Sequence, residues 1–422
     1  MDNAVRDLLK SRIRKARAKF VAMAATYCAG TLNDNFFKQS AQLLAIAAGK
    51  SYLQSYATVV FTLPFIFFAA YAGFCADRFS KRSIVIASKA LELVAMFLAA
   101  AGIWLLNWPL IIATLGVLGL QATLFNPSLN GSIPELYPAE YVPTANAVIR
   151  AITTSAMLAG IVCAGFVIDI KGDASSVPLA RLIVCCAVVV VSIIGFAVSF
   201  AVPGFPAAAP AARFPWAGPL DSVRMLNRLR NDSLLVVAII CSAFFWFIGS
   251  LNVLIINQLG LSQFGLSATM TSTLVLIELG GIAAGSLLSA PLSKGKKWYH
   301  TLVPAAATIG VCMFLMASVP HLPHPVRKTA VVAALGILGA AGGLFLIPPA
   351  SFIQVRPAAD IKGRVIAASN FVADCGILIS GALLYLFNRL GVKPSNCFGL
   401  MGIMVAVFTV WLFFVLPKGK KQ

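Results

Sequence analysis

Apolar residues dominate this chain in long, nearly uninterrupted runs, broken at intervals by short polar or Pro/Gly-rich stretches. The runs fall near 20–48, 53–76, 83–106, 109–126, 143–169, 179–202, 233–257, 267–290, 299–319, 329–348, 363–388 and 396–416. Each is long enough for a bilayer crossing, which takes about 20 mostly apolar residues. An open strand edge cannot be satisfied in lipid, so all of them are expected to be helices. The pattern predicts an all-α membrane protein with twelve transmembrane helices.

One connection is long. Residues 203–232 open Pro/Ala-rich, from Pro203 to Pro210, and end in the basic amphipathic stretch Leu220–Arg230. That combination reads as a linker followed by an interfacial helix. It divides the chain into a bundle over 1–202, the linker 203–232 and a second bundle over 233–422, with six helices in each bundle. The halves resemble one another. Leu124-Phe-Asn-Pro127 followed by Pro134-Glu-Leu-Tyr-Pro138 has a counterpart in Leu344-Phe-Leu-Ile-Pro-Pro349 followed by Val355-Arg-Pro357. Gly73-Phe-Cys-Ala-Asp-Arg-Phe-Ser-Lys-Arg82 has a worn copy in Gly285–Lys294. A six-plus-six repeat with a long central connection is an architecture used by secondary transporters.

Composition agrees with the runs and adds an orientation. Hydrophobic residues make up 59% of the chain and charged residues 11%. A soluble domain carries about a quarter charged residues, so a soluble multidomain protein is excluded, as are disorder and a disulfide scaffold. The 33 Lys and Arg exceed the 14 Asp and Glu, for a net charge of +19. The excess gathers at the N-terminus (Arg6, Lys10, Arg12, Arg14, Lys15, Arg17, Lys19), at Arg78/Lys81/Arg82, in the linker, at Lys294/Lys296/Lys297, at Arg356/Lys362/Arg364 and in the tail Lys418/Lys420/Lys421. By the positive-inside rule these segments are cytoplasmic, and so are both termini. The basic N-terminus lacks the cleavage pattern of a signal peptide and reads as an amphipathic helix drawn to anionic lipid.

A few charges fall inside the apolar runs, where an ionisable group is expensive and marks a candidate site. Asp34 and Lys38 share a face of the first span with Asn35, Thr31 and Gln42. Lys89 and Glu92 are three apart in the third span, and Arg150 lies in the fifth. The second half holds only Glu278 and Asp374. Asp34–Lys38 and Lys89–Glu92 could be internal ion pairs holding helices together. Alternatively, the six first-half residues Asp34, Asn35, Lys38, Lys89, Glu92 and Arg150 could line a polar cavity that takes a substrate. Glu278 and Asp374 could be proton sites, or could pair with Arg150 or Lys89. Taken together these charges nearly cancel, which suits a zwitterionic or amphiphilic head group.

The loop 73–82 is of another kind. Gly73 is expected to let the flanking helices approach closely, and Asp77 to cap a helix N-terminus of the partner half. Arg78, Lys81 and Arg82 are expected to reach Glu135. Such a cluster, Gly73, Asp77, Arg78, Arg82 and Glu135, would act as a cytoplasmic gate. The nine Cys include no C-x-x-C pair and read as buried packing. His321 and His324 alone make a poor metal site. No cofactor or metal is expected.

Gly73-x-x-Ala-Asp77-Arg78-x-x-Lys81-Arg82 resembles the loop 2–3 signature of the major facilitator superfamily. More narrowly, Leu32-Asn-Asp-Asn-Phe-Phe-Lys38, Lys89-Ala-Leu-Glu92 and Pro134-Glu-Leu…Ala145-Asn-Ala147 resemble motifs of the bacterial lysophospholipid transporter family. That family includes stand-alone flippases and proteins fused to an acyl-glycerophosphate acyltransferase. The chain departs from it at Pro127-Ser-Leu-Asn130, where relatives carry Pro-x-Lys-Tyr and its basic residue. The resemblance implies a monomeric, stand-alone, non-enzymatic transporter of the inner membrane. It would move lysophospholipid by alternating access amid membrane lipid, with a separate acyltransferase as a possible partner and no nucleic acid. Two rivals remain at this stage: a proton-coupled transporter of a small solute or drug, and a membrane scaffold for an acyltransferase.

Overall fold

The computed structural model describes residues 3–137, 142–170, 177–204, 206–207, 210–211, 214–292, 298–358 and 361–416. Lys294, Lys296, Lys297, Lys418, Lys420 and Lys421 lie outside them, as do the side chains of Arg6, Lys10, Arg12, Arg14, Lys15, Pro134, Asn146, Ala147, His324 and Lys362. Among the described residues there is no strand. Thirteen α-helices follow one another: α1 Asn3–Ala47, α2 Leu53–Arg78, α3 Lys81–Leu105, α4 Trp108–Leu136, α5 Val142–Ile168, α6 Val177–Ser199, α7 Pro219–Leu229, α8 Ser233–Gln258, α9 Ala268–Leu292, α10 Leu302–Ser318, α11 His324–Val355, α12 Lys362–Arg389 and α13 Pro394–Val415. Eleven of them are long and apolar enough to cross a membrane. The remaining long helix, α1, falls short on apolarity because its middle carries Asn33, Asp34, Asn35, Lys38, Gln39 and Gln42. Many large apolar side chains point outward, among them Leu287, Val355 and Phe414, each more than two-thirds exposed. An outward apolar surface of that extent is what lipid-facing helices present. The chain is a multi-pass membrane protein.

Local chemistry sets several boundaries. Ser80 caps α3, its Oγ accepting from Ser83 N, and Asn107 caps α4, its Oδ1 accepting from Leu110 N at 3.1 Å. Asp232 does the same for α8 through Leu235 N at 3.2 Å. These short polar side chains satisfy amides that the first helical turn leaves free. Elsewhere the sequence places ends too early. The runs 109–126 and 329–348 are bounded by prolines, yet α4 continues to Leu136 and α11 passes through Pro348 and Pro349 to Val355. Proline removes one backbone donor and bends a helix. Inside a packed membrane bundle it does not end one, because neighbouring groups take over the freed carbonyl.

The contacts separate into two compact units. Unit one holds residues 1–44 and 60–219, and unit two holds residues 45–59 and 220–422. In unit one, Met23, Val85, Leu129, Ile133, Ile149 and Val202 are buried together, drawn from α1, α3, α4, α5 and the segment after α6. The linker adheres to this unit. Phe214 stacks on Tyr71 with ring centres 5.3 Å apart, sets its edge against Phe74 at 5.4 Å and carries Trp216 on its other side at 4.9 Å.

In unit two, α9 and α11 touch backbone to backbone. A Cβ on Gly285, Gly339 or Gly343 would collide with the main chain opposite, at Ala340, Glu278 and Ile282 respectively. Residues 45–59 belong to this unit because the start of α2 packs on α12. Gly381 lies against Ser55 O and the side chains of Val59 and Thr58, and the rings of Tyr56 and Tyr385 are 5.7 Å apart. The sequence division at the linker therefore differs from the spatial one, since helix α2 contributes to both units.

Candidate functional site

The charged groups of unit one converge in part. On α3, Lys89 Nζ donates to Glu92 Oε2 at 2.6 Å, and both side chains are 1% exposed. From α4, Gln121 Nε2 donates to the same Glu92 oxygen at 3.2 Å, and Phe125 presents its ring to Lys89 Nζ at 5.0 Å. Gly30 of α1 and Gly195 of α6 lie against Lys89 Nζ; a Cβ on Gly30 would collide with the amine, whereas one on Gly195 would make ordinary contact. The pairing expected for Lys89 and Glu92 is present. Gln121, Phe125, Gly30 and Gly195 complete it, and none of them was singled out from the sequence. Gln121 could have been found as a lone amide in an apolar run; the glycines carried no local signal.

Asp34 on α1 is within electrostatic reach of Glu92, Lys89 and Lys38. Its Oδ1 is buried with no hydrogen-bond partner, as is Oε1 of Glu92. Lys38 does not close an ion pair with Asp34 among the described ion pairs; its Nζ sits over the Phe61 ring at 5.1 Å. Asn35 Nδ2 turns back on its own helix, donating to Thr31 O at 2.8 Å. Its neighbour Asn33 donates to Val188 O at 3.0 Å and ties α1 to α6. Arg150 is not brought into this cluster. It is exposed on α5, and its carbonyl accepts from Thr153 Oγ1 at 3.1 Å. What converges is therefore one buried ion pair, two carboxylate oxygens lacking donors (one of them in that pair), and one amine resting on a ring. Such an arrangement can receive hydrogen-bond donors and cationic groups at the carboxylates and an anionic group at Lys38.

The loop cluster differs from expectation at Gly73 and at the two arginines. A Cβ on Gly73 would meet nothing within 4 Å, so no close helix approach requires it. The cap of α3 is Ser80, while Asp77 is exposed at the end of α2. Glu135 is reached by Lys81, a buried side chain that joins the start of α3 to the end of α4. Arg82 instead donates from Nη2 to Phe200 O at 2.7 Å, and the Arg78 guanidinium lies over Phe74 at 5.6 Å. Lys81 and the two carbonyl and ring contacts fasten unit one internally.

In unit two, Glu278 is 1% exposed on α9, and its Oε1 accepts from Asn252 Nδ2 of α8 at 3.0 Å. Asp374 is half-buried on α12. Arg356 Nε donates to Asp232 Oδ2 at 2.9 Å, tying the end of α11 to the cap of α8. Among the described residues no group of three His, Cys, Asp or Glu is arranged to hold a metal ion.

The chain is 26% identical over 365 residues to the lysophospholipid transporter LplT of Photorhabdus laumondii, covering 84% of this chain and 85% of that one. It is 25% identical over 405 residues to the lysophospholipid transporter LplT of Klebsiella pneumoniae, covering 92% and 95%. The fold matches a D-xylose–proton symporter with a TM-score of 0.74 at 13% identity, over 96% of this chain and 99% of that one. It matches the nucleoside transporter NupG with a TM-score of 0.70 at 13% identity, over 95% and 100%. A family model described as Major Facilitator Superfamily matches residues 18–381, and the chain belongs to that superfamily of transporters.

Proposed function

We propose that this transporter moves a lysophospholipid, or an amphiphile of similar build, across the bacterial inner membrane by alternating access, with both termini cytoplasmic. The relatives named lysophospholipid transporter support the substrate class. The observation that carries the reading is the pair of buried, unpartnered carboxylate oxygens, Asp34 Oδ1 and Glu92 Oε1, beside Lys89 in the middle of an apolar bundle. A zwitterionic head group offers a donor-rich ammonium to those oxygens and a phosphate to Lys38. Asn35 supports the α1 backbone, and Arg150 is the further cation on α5. The relatives' extra basic residue is missing at Pro127–Asn130, which leaves Lys38 and Arg150 as the cations for a phosphate. A neighbouring acyltransferase would consume the product.

The test is uptake of labelled lysophosphatidylethanolamine into proteoliposomes of the purified chain. Saturable uptake that is lost in Asp34→Asn and Lys38→Ala is expected. Uptake no greater than in protein-free vesicles overturns the proposal.

A second reading is favoured by Asp374, a half-buried carboxylate within α12, and by the proton symporter among the structural neighbours. It makes the protein a proton-coupled carrier of a small solute. Transport that collapses with an uncoupler and in Asp374→Asn is the outcome that would select it.

A further inference from the structure

Unit two contains a second polar feature whose chemistry differs from that of the first. Helices α8, α9, α10, α11 and α13 line a small cavity of about 30 Å³. Its wall is apolar and aromatic, with Phe244, Phe245 and Phe345 among the lining residues. Two polar side chains interrupt that wall, Asn252 and Glu278, and each is 1% exposed. Asn252 Nδ2 donates to Glu278 Oε1 at 3.0 Å. That bond uses one donor and one acceptor. Glu278 Oε2 and Asn252 Oδ1 are left buried with no hydrogen-bond partner. Both leftover atoms are acceptors.

Acceptors enclosed by hydrocarbon are unfavourable until a donor reaches them, and a carboxylate more so than an amide. No Lys, Arg or His is among the lining residues, so the cavity wall supplies no cation. We infer that this cavity is a binding site for a small organic ammonium ion. Its N–H groups bond Glu278 Oε2 and Asn252 Oδ1, and its apolar body lies against Phe244, Phe245 and Phe345. An ammonium brings charge and several donors at once, and the faces of aromatic rings favour a cation. A neutral alcohol brings one donor and no charge. A bare calcium or magnesium ion needs six or more oxygens, more than these two side chains provide. Gly249 enlarges the space: it lines the cavity, and a Cβ there would meet nothing within 4 Å. The site lies wholly inside unit two and does not depend on the substrate proposed above.

The probe is methylammonium, with methanol as the uncharged control. Binding is measured by equilibrium dialysis against the purified full chain in detergent. One saturable site per chain is expected, with the alcohol binding at least tenfold more weakly. Glu278→Gln is expected to weaken the ammonium by about tenfold or more, because it removes the buried counter-charge. Gly249→Leu keeps the carboxylate and its amide partner but fills the space, and is expected to abolish binding. It decides the matter if Glu278→Gln does not fold. Asp34→Asn, which should lose lysophospholipid uptake, is expected to retain the ammonium site, so the two proposals fail separately. Absence of saturable binding, equal binding of the alcohol, or unchanged affinity in Gly249→Leu overturns the inference.

Discussion

Lys89 is accommodated at 1% exposure by Glu92 as counter-ion, by the Phe125 ring and by the space that Gly30 leaves open. Removing one partner of such a pair strands the other charge in a medium that cannot solvate it. Lys89→Ala and Glu92→Gln are each expected to lower stability by about 3–5 kcal/mol, read as a fall in the thermal midpoint of the detergent-solubilised protein. Replacing both, with Met at 89 and Leu at 92, is expected to recover most of that loss, since packed apolar side chains of similar volume do as well as a buried pair. Transport should not recover in the double variant. Stability and function then come apart, and a double variant that transports normally would reduce the pair to a structural role. At this scale the sequence shows what lies within one helical turn. Lys89 and Glu92 were legible because a spacing of three places them on one face. The partners of Gln121 and Asn252 were not, because each amide reaches a carboxylate on another helix. Asp34 and Lys38, four apart, have the spacing of a pair, but Lys38 turns to Phe61.

Among elements, the contact between α9 and α11 has the least slack. Gly285, Gly339 and Gly343 bring the two main chains together, and packing of this kind is a principal source of helix association in membranes. Gly339→Leu is expected to separate the helices and reduce the yield of monodisperse protein severalfold, whereas Gly363→Ala, where a Cβ meets nothing within 4 Å, should leave the yield unchanged. Size-exclusion profiles of the two variants check this. The start of α8 offers a finer measurement. Asp232 both caps the helix and accepts from Arg356, whose side chain is 54% exposed. Asp232→Ala is expected to cost about 1–2 kcal/mol, mostly from the lost cap, and Arg356→Ala about 0–1 kcal/mol, as for other exposed ion pairs. Equal losses would show that the ion pair and not the cap holds the end of the helix. Helix identity was legible throughout, because apolar length alone decides it in lipid. Helix ends were not legible at Pro127 and Pro348, since a proline that ends a helix in water can be carried inside one in a membrane bundle.

For the whole molecule, the informative element is α2, which serves unit one from Val60 onward and unit two through residues 45–59. The linker is a long connection in the sequence, so it reads as the natural seam. The seam in space runs elsewhere because Gly381 accepts the α2 backbone at Ser55, a meeting of residues more than 300 positions apart that no local pattern announces. Separating the chain at the linker, into residues 1–211 and 212–422, tests this directly. The two pieces made together are expected to co-purify. The second piece made alone is expected to be recovered in much lower amount, and adding residues 45–59 as a helical peptide should raise its thermal midpoint. No difference between the second piece alone and paired would place those residues outside its fold. Synthesis runs from the N-terminus, so the start of α2 enters the membrane long before α12 has been translated. Until then its packing face at Ser55, Thr58 and Val59 is open to lipid and to whatever insertion factors are near. The last contacts of the second unit thus close on a segment that was among the first to be made.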